Sequence, residues 1–279
     1  MPERVLVCSC ARGAILALAM GAAACAPRLT RLPSGPGTPA PDFSQTVLDA
    51  TDACRRVQSL TAEIAVSGSV NGQRVRTHLL GGFAPAAGRI EAPAPFGAPL
   101  FIFVASGSDG TLLFPRDNRV IEHGQPADLL EAIAGVPLAA TDLLRTMTGC
   151  RTPEPLATAE AIGDTWRTAS GSGGAKIYLH RDTPSAPWHL VTVFNPGEGQ
   201  QSSWRVDYDR YQNGLPTVVR FVSADRRRFN IELTLSQVES NVALGPEAFR
   251  VDVPRDAERI RLDDLRRSGG LAPARSRGR

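Results

Sequence analysis

Between Ile64 and Leu235 the chain reverses about every 8–14 residues, and most of the segments between reversals are short apolar–polar alternations. Ile64-Ala65-Val66 is followed by Asn71-Gly72, a pair suited to a two-residue hairpin because both central residues tolerate positive φ, and then by Arg74–Leu79. Arg89–Ala92, Leu100–Val104, Thr111–Phe114 and Asn118–Ile121 continue the series. Further strands are expected near 162–168, 175–180, 189–194, 203–208, 217–222 and 229–235. The last alternates cleanly, with Phe229, Ile231, Leu233 and Leu235 against Asn230, Glu232 and Thr234. About twelve strands so spaced, with polar turns, predict a mainly β fold. Consecutive hairpins place each strand beside the next, in an antiparallel barrel or a strongly curved sheet.

Helical spacing occurs in three places only, too few for a βαβ fold. Val47, Leu48, Cys54, Val57 and Leu60 predict an N-terminal helix over 43–60, with Asp42 as its cap. Pro126–Ala134 carries Leu129, Leu130 and Ile133 on one face, with Pro at the first turn and Gly135 beyond the end. Thr141–Met147 carries Leu143, Leu144 and Met147. The last two are short enough to act as lids.

The first thirty residues bear on the compartment. Arg4 and Arg12 precede an eleven-residue apolar run, Ala14–Ala24, too short to span a bilayer of ~30 Å but suited to a secretion signal. Small residues followed by Cys25 resemble the bacterial lipobox, which implies cleavage after residue 24 and acylation of Cys25. Residues 25–41, rich in Pro and Gly, read as a flexible tether, with a reach of roughly 20 Å by random-coil scaling. Residues 42–255 form the folded domain, and 256–279 form a basic, partly disordered tail. No later stretch of ~18 apolar residues suggests a membrane-spanning helix. Ala26 stands where aspartate often retains bacterial lipoproteins at the inner membrane, so the outer membrane, facing the periplasm, is the expected location. Outside the signal and Cys25 only Cys54 and Cys150 remain. Export favours a disulfide between them, and burial as two small apolar side chains is the alternative.

Net charge is +3, from 31 basic against 28 acidic residues, and aromatics make up 6%. That balance supplies neither the basic face nor the stacking platforms of a nucleic-acid binder. His78, His123, His180 and His189 make no metal-ligand spacing, and CxxC is absent. Gly171–Lys176 echoes a phosphate loop but lacks its GK[ST] end, so it reads as a hairpin. GxSxG is absent, and Asp207 with Asp209 reads as a solvated strand edge. No cofactor and no enzymatic reaction is expected.

Leu100–Val104 is apolar on both faces, which a strand with one wet face does not show. Lid helices covering the second face, an apolar cavity lined by it, and plain core burial all give that pattern. Ala94-Pro95-Phe96-Gly97, Gly135-Val136-Pro137-Leu138, Leu143-Leu144-Arg145 with Gly149, and the closing Phe249–Pro254 occur in an order that resembles the LolA/LolB superfamily of bacterial lipoprotein carriers. The resemblance runs over about residues 43–254, and 90–149 is most similar to the LolB branch. It implies an incomplete, half-open antiparallel β-barrel of about 11–12 strands with a hydrophobic cavity under a lid, lined here by Phe101, Phe103, Leu113, Leu129, Leu130, Ile133, Leu143 and Leu144. It also implies an exposed apolar turn residue that inserts into membranes, matched by Phe96. The partners then implied are acyl chains of lipoproteins or other lipids, the membrane through the anchor on Cys25, and a periplasmic carrier protein, with the chain a monomer. The competing reading is a periplasmic sensor or protein-interaction module on the same fold.

Overall fold

The computed structural model describes residues 30–153, 155–197 and 202–268. The signal segment and Cys25 lie outside the described residues. In chain order the elements are β1 (Thr38–Pro39), α1 (Phe43–Arg55), β2 (Leu60–Val70), β3 (Gln73–Ala84), β4 (Ala87–Ala92), β5 (Phe101–Ser106), β6 (Asp109–Phe114) and β7 (Arg119–Gly124). Two lid helices follow, α2 (Pro126–Ala134) and α3 (Ala140–Thr148). Then come β8 (Leu156–Ile162), β9 (Trp166–Gly171), β10 (Lys176–His180), β11 (His189–Asn195), β12 (Trp204–Gln212), β13 (Leu215–Ser223) and β14 (Phe229–Ser240). The chain closes with β15 (Glu258–Arg259) and α4 (Leu262–Ser268).

All fifteen strands belong to one sheet, in the order β1-β8-β9-β10-β11-β12-β13-β14-β2-β3-β4-β5-β6-β7-β15. Every pairing is antiparallel except β15 on β7. The order does not return on itself, so the sheet curves without closing. The non-sequential pairing of β14 with β2 joins its two halves. Alternation decides which face is buried: Leu60, Ala62, Ile64 and Val66 on β2 point to the core, as do Phe229, Ile231, Leu233 and Leu235 on β14.

Several elements depart from the sequence reading. The segment expected near 162–168 is two strands, because Gly163, at φ 61°, turns the chain between β8 and β9. Helix α1 stops at Arg55 rather than Leu60: the Asn241 side chain accepts from the Gln58 amide at 2.7 Å, and Leu60 opens β2. Asp42 makes no side-chain cap. Its carboxylate instead receives Arg167, with Nη2 3.1 Å from Oδ2, and that hydrogen bond holds the Asp42 carboxyl below its usual range. The tether is shorter than expected, since Thr38 and Pro39 pair with Ala161 and Glu160; proline is tolerated there because β1 is an edge strand.

The tail differs most. Glu258 and Arg259 pair with Arg119 and Val120 of β7. Beyond them α4 buries Leu265 in the main core beside α2. Arg266 of α4 lies 3.9 Å from Asp128 and 3.8 Å from Glu131, both on α2. Residues 251–257 cross the outer face of the sheet, where Val251, Val253 and Ala257 cover Ile102, Val104, Leu113 and Val120. The second apolar face of β5 is therefore covered by the C-terminal strap, not by the lids or a cavity.

Candidate functional site

Helices α2 and α3 lie across the concave face of the sheet. Pro126 opens α2 at a position with no amide to satisfy, and Gly135 ends it at φ 77°, a conformation that favours glycine. The chain then turns through Val136–Ala139 into α3, which Gly149 ends. Helix α3 seats on β4 at Gly88: a Cβ placed there would lie 2.5 Å from Leu143 Cδ1. A larger residue there would have to displace the end of the Leu143 side chain.

Under the lids is an apolar cavity of about 90 Å³. Its floor comes from Val66 and Val70 of β2, Val75, Thr77 and Leu79 of β3, Ile90, Phe101, Phe221, Ile231 and Leu233. Leu130, Ile133, Val136, Leu138, Leu143 and Met147 form its roof. No ionisable side chain lines it. Larger clefts are open to solvent and carry charge, such as that of about 420 Å³ on Glu63, Arg89, Glu91 and Glu239.

One side of the cavity is incomplete. Strand β4 pairs with β3 only from Leu80 to Ala84, so Gln73–Leu79 have no neighbouring strand on that side. Val75, Thr77 and Leu79 face the cavity yet are only half-buried. The gap beside them is the cavity's mouth. The loop from Pro93 to Leu100 starts where the β3–β4 pairing stops, at the same end of the sheet. Phe96 on this loop is 88% exposed, and Leu100 is exposed beside it. Arg116 braces the loop: Nε donates to the Ala98 carbonyl at 2.9 Å and Nη2 to the Phe96 carbonyl at 2.5 Å. A phenylalanine left in water forgoes roughly 1.5–3 kcal/mol of burial.

The structure divides the expected cavity residues. Phe101, Leu130, Ile133 and Leu143 line the cavity. Phe103, Leu129 and Leu144 are buried in the surrounding core without reaching it. Leu113 is a correction: it points to the outer face, under Val251 and Val253, because it alternates with Leu112 and Phe114, which face the core. The lining from β2, β3, β13 and β14 was not singled out from the sequence, although the alternation of β14 was the signal for it.

Cys54 at the end of α1 and Cys150 just after α3 form a disulfide, with Cα atoms 5.6 Å apart and 96 positions apart in sequence. It ties the lid's C-terminal end to α1. Asp207 is not a solvated edge residue. It is buried on β12, accepting from Thr192 Oγ1 at 2.8 Å, with Arg205 Nη2 3.0 Å away. Burial pushes its carboxyl above the usual range, against the pull of Arg205. Across β9, β10 and β11, Trp166, His180 and His189 stand in register, and Tyr211 stacks on His189 with ring centroids 4.1 Å apart. Burial lowers both histidine pKa values. Among the described residues no cluster of three or more His, Cys, Asp or Glu could hold a metal ion.

No family model and no curated protein matches the sequence. Solved structures do. A LolA superfamily protein from Nitrosomonas europaea superposes with TM-score 0.53 at 13% identity, covering 75% of this chain and 97% of its own. A DUF1329 family protein from Desulfovibrio piger gives TM-score 0.50 at 11% identity, covering 76% and 98%. These likenesses establish a shared fold.

Proposed function

We propose that this chain is a lipid-anchored envelope protein of the LolA/LolB type, which holds acyl chains of lipoproteins or other lipids beneath α2 and α3. On this reading it passes them to the outer membrane without chemistry. The observation that carries the proposal is the uncharged cavity with a mouth at the free edge of β3, beside an exposed phenylalanine. The fold shared with a LolA superfamily protein supports it.

At about 90 Å³ the cavity is far below the ~300–1,000 Å³ of ordinary ligand sites. The cavity as it stands is too small for a full acyl chain, so loading requires the lids to move. Around the cavity the lid meets the sheet through apolar side chains, so an acyl chain can replace those contacts side for side: Leu130, Ile133, Leu143 and Met147 exchange one hydrocarbon neighbour for another. The disulfide at Cys150 fixes one end of α3, so opening swings from that end, with the Gly135–Ala139 turn moving most. Acylation of Cys25 keeps the domain at the membrane, Phe96 enters the bilayer, and the mouth beside it delivers the chain. A periplasmic carrier supplies the cargo.

The test combines extraction and transfer. Organic extraction of the purified protein followed by mass spectrometry is expected to yield acyl lipids. Phe96→Glu is expected to keep its acyl load and lose delivery to vesicles. A domain that extracts empty and co-purifies instead with a signalling protein would favour the sensor reading.

A further inference from the structure

The end of the sheet that carries Phe96 also carries an excess of arginine. The β2–β3 hairpin and the β13–β14 turn meet there: the Asn71 amide donates to the Arg228 carbonyl and the Gly72 amide to the Arg227 carbonyl, both at 2.8 Å. That contact brings Arg226 and Arg227 beside the start of β3, whose outer face carries Arg74 and Arg76. All four are exposed, and none makes an ion pair among the described residues. The nearby acids are already engaged. Asp117 pairs with Arg119 and Glu131 with Arg228, and the one carboxylate left charged in the turn, Asp225, accepts from the Arg227 amide and does not balance four arginines. The opposite end carries both signs: Asp109, Asp164 and Asp182 stand there with Arg55, Arg145, Arg181 and Arg210. At the Phe96 end the four arginines stand beside exposed hydrocarbon.

We propose that this end docks on a membrane leaflet rich in anionic lipid. Arg74, Arg76, Arg226 and Arg227 meet headgroup phosphates while Phe96 reaches the acyl layer. Guanidinium groups suit phosphate because their planar donors engage two oxygens at once. The anionic surface orients the domain so that the cavity's mouth, on the same end, faces the bilayer. The proposal rests on Phe96 as the insertion tip and adds the class of lipid that recruits it.

The test uses the whole chain carrying Cys25→Ser, so that no acyl anchor contributes, in flotation with vesicles of phosphatidylcholine alone or mixed with phosphatidylglycerol. The expected result is tighter binding to the mixed vesicles, a preference that shrinks as added salt shortens the Debye length. Replacing all four arginines by glutamine is expected to abolish the preference. Each removed arginine should weaken binding to the mixed vesicles by about fivefold, which corresponds to ~1 kcal/mol per basic residue at a charged surface. Because the four side chains are exposed, the melting curve should not move. Phe96→Glu is expected to weaken binding to the phosphatidylcholine vesicles, whose surface carries no net charge for the new carboxylate to meet. Equal binding of the parent chain to both vesicles, or a preference that survives the fourfold replacement, would overturn the arginine proposal whatever Phe96 does. A lost preference with no effect of Phe96→Glu would support the arginines and refute the tip.

Discussion

The two halves of the sheet bury their concave faces in different ways. Over β8–β12 the core is filled: Ile177, Leu179, Leu190, Val206 and Tyr208 are essentially inaccessible, and α1 contributes Phe43 and Cys54. On the other face of the same strands Thr192 donates to Asp207, while the Tyr208 hydroxyl in the core has no hydrogen-bond partner among the described residues. Over β2–β5, β13 and β14 the cover is α2 and α3, which meet the sheet through hydrocarbon and leave a void. Full packing makes one half a single arrangement. In the other half the contacts around the void are apolar, with the Glu131–Arg228 pair at the lid's margin, so its occupant can change at little cost. The first half is a scaffold and the second a container.

The largest expected effects separate the halves by stability. Leu179→Ala in the filled half should cost ~3–5 kcal/mol, while Leu130→Ala in the lid should cost only ~2 kcal/mol, because a helix beside a void can settle into the space left. Denaturant midpoints measure both, and a reversed order would break the distinction. Removing the disulfide that spans the halves, by Cys54→Ala with Cys150→Ala, should cost ~2–4 kcal/mol, since it closes a long loop in the unfolded chain. An unchanged midpoint would show that the tie contributes nothing.

A smaller effect concerns pH. Burial holds His180 and His189 below the ordinary histidine value of about 6.5, with nearby Asp182 opposing it. The unfolded chain therefore binds more protons than the folded one as pH drops past that value. The stabilisation is complete above about pH 6.5 and is lost as pH falls toward the folded pKa values. His180→Gln with His189→Gln should flatten that part of the stability curve. Acyl binding should stay constant over the same range, because no ionisable group lines the cavity. Binding that titrates with the histidines would join what the structure separates.

Much of this division could be read from local pattern. Pro126 and Gly135 bracket α2 in the sequence as they do in the fold, and Asn71-Gly72 marks its hairpin. What could not be read is non-local. Leu112-Leu113-Phe114 is apolar throughout, so alternation alone cannot say which residue faces the cavity. The strap over Leu113 is extended chain with a two-residue strand, which leaves no periodic trace. Cys54 and Cys150 lie 96 residues apart, so only the fold brings them together. The mouth exists because β4 stops short of β3, a property of register rather than composition.

The central claim, that the space under the lids receives an acyl chain, is tested most directly by titrating an environment-sensitive fatty-acyl probe into the parent protein and into Ile133→Phe. Ile133 roofs the void, so the larger ring should be accommodated within ~1 kcal/mol of the parent stability. The account predicts saturable binding by the parent and at least about tenfold weaker binding by the filled variant, a loss of ~1.4 kcal/mol. Equal affinity in both proteins, or no saturable binding by the parent, would contradict it.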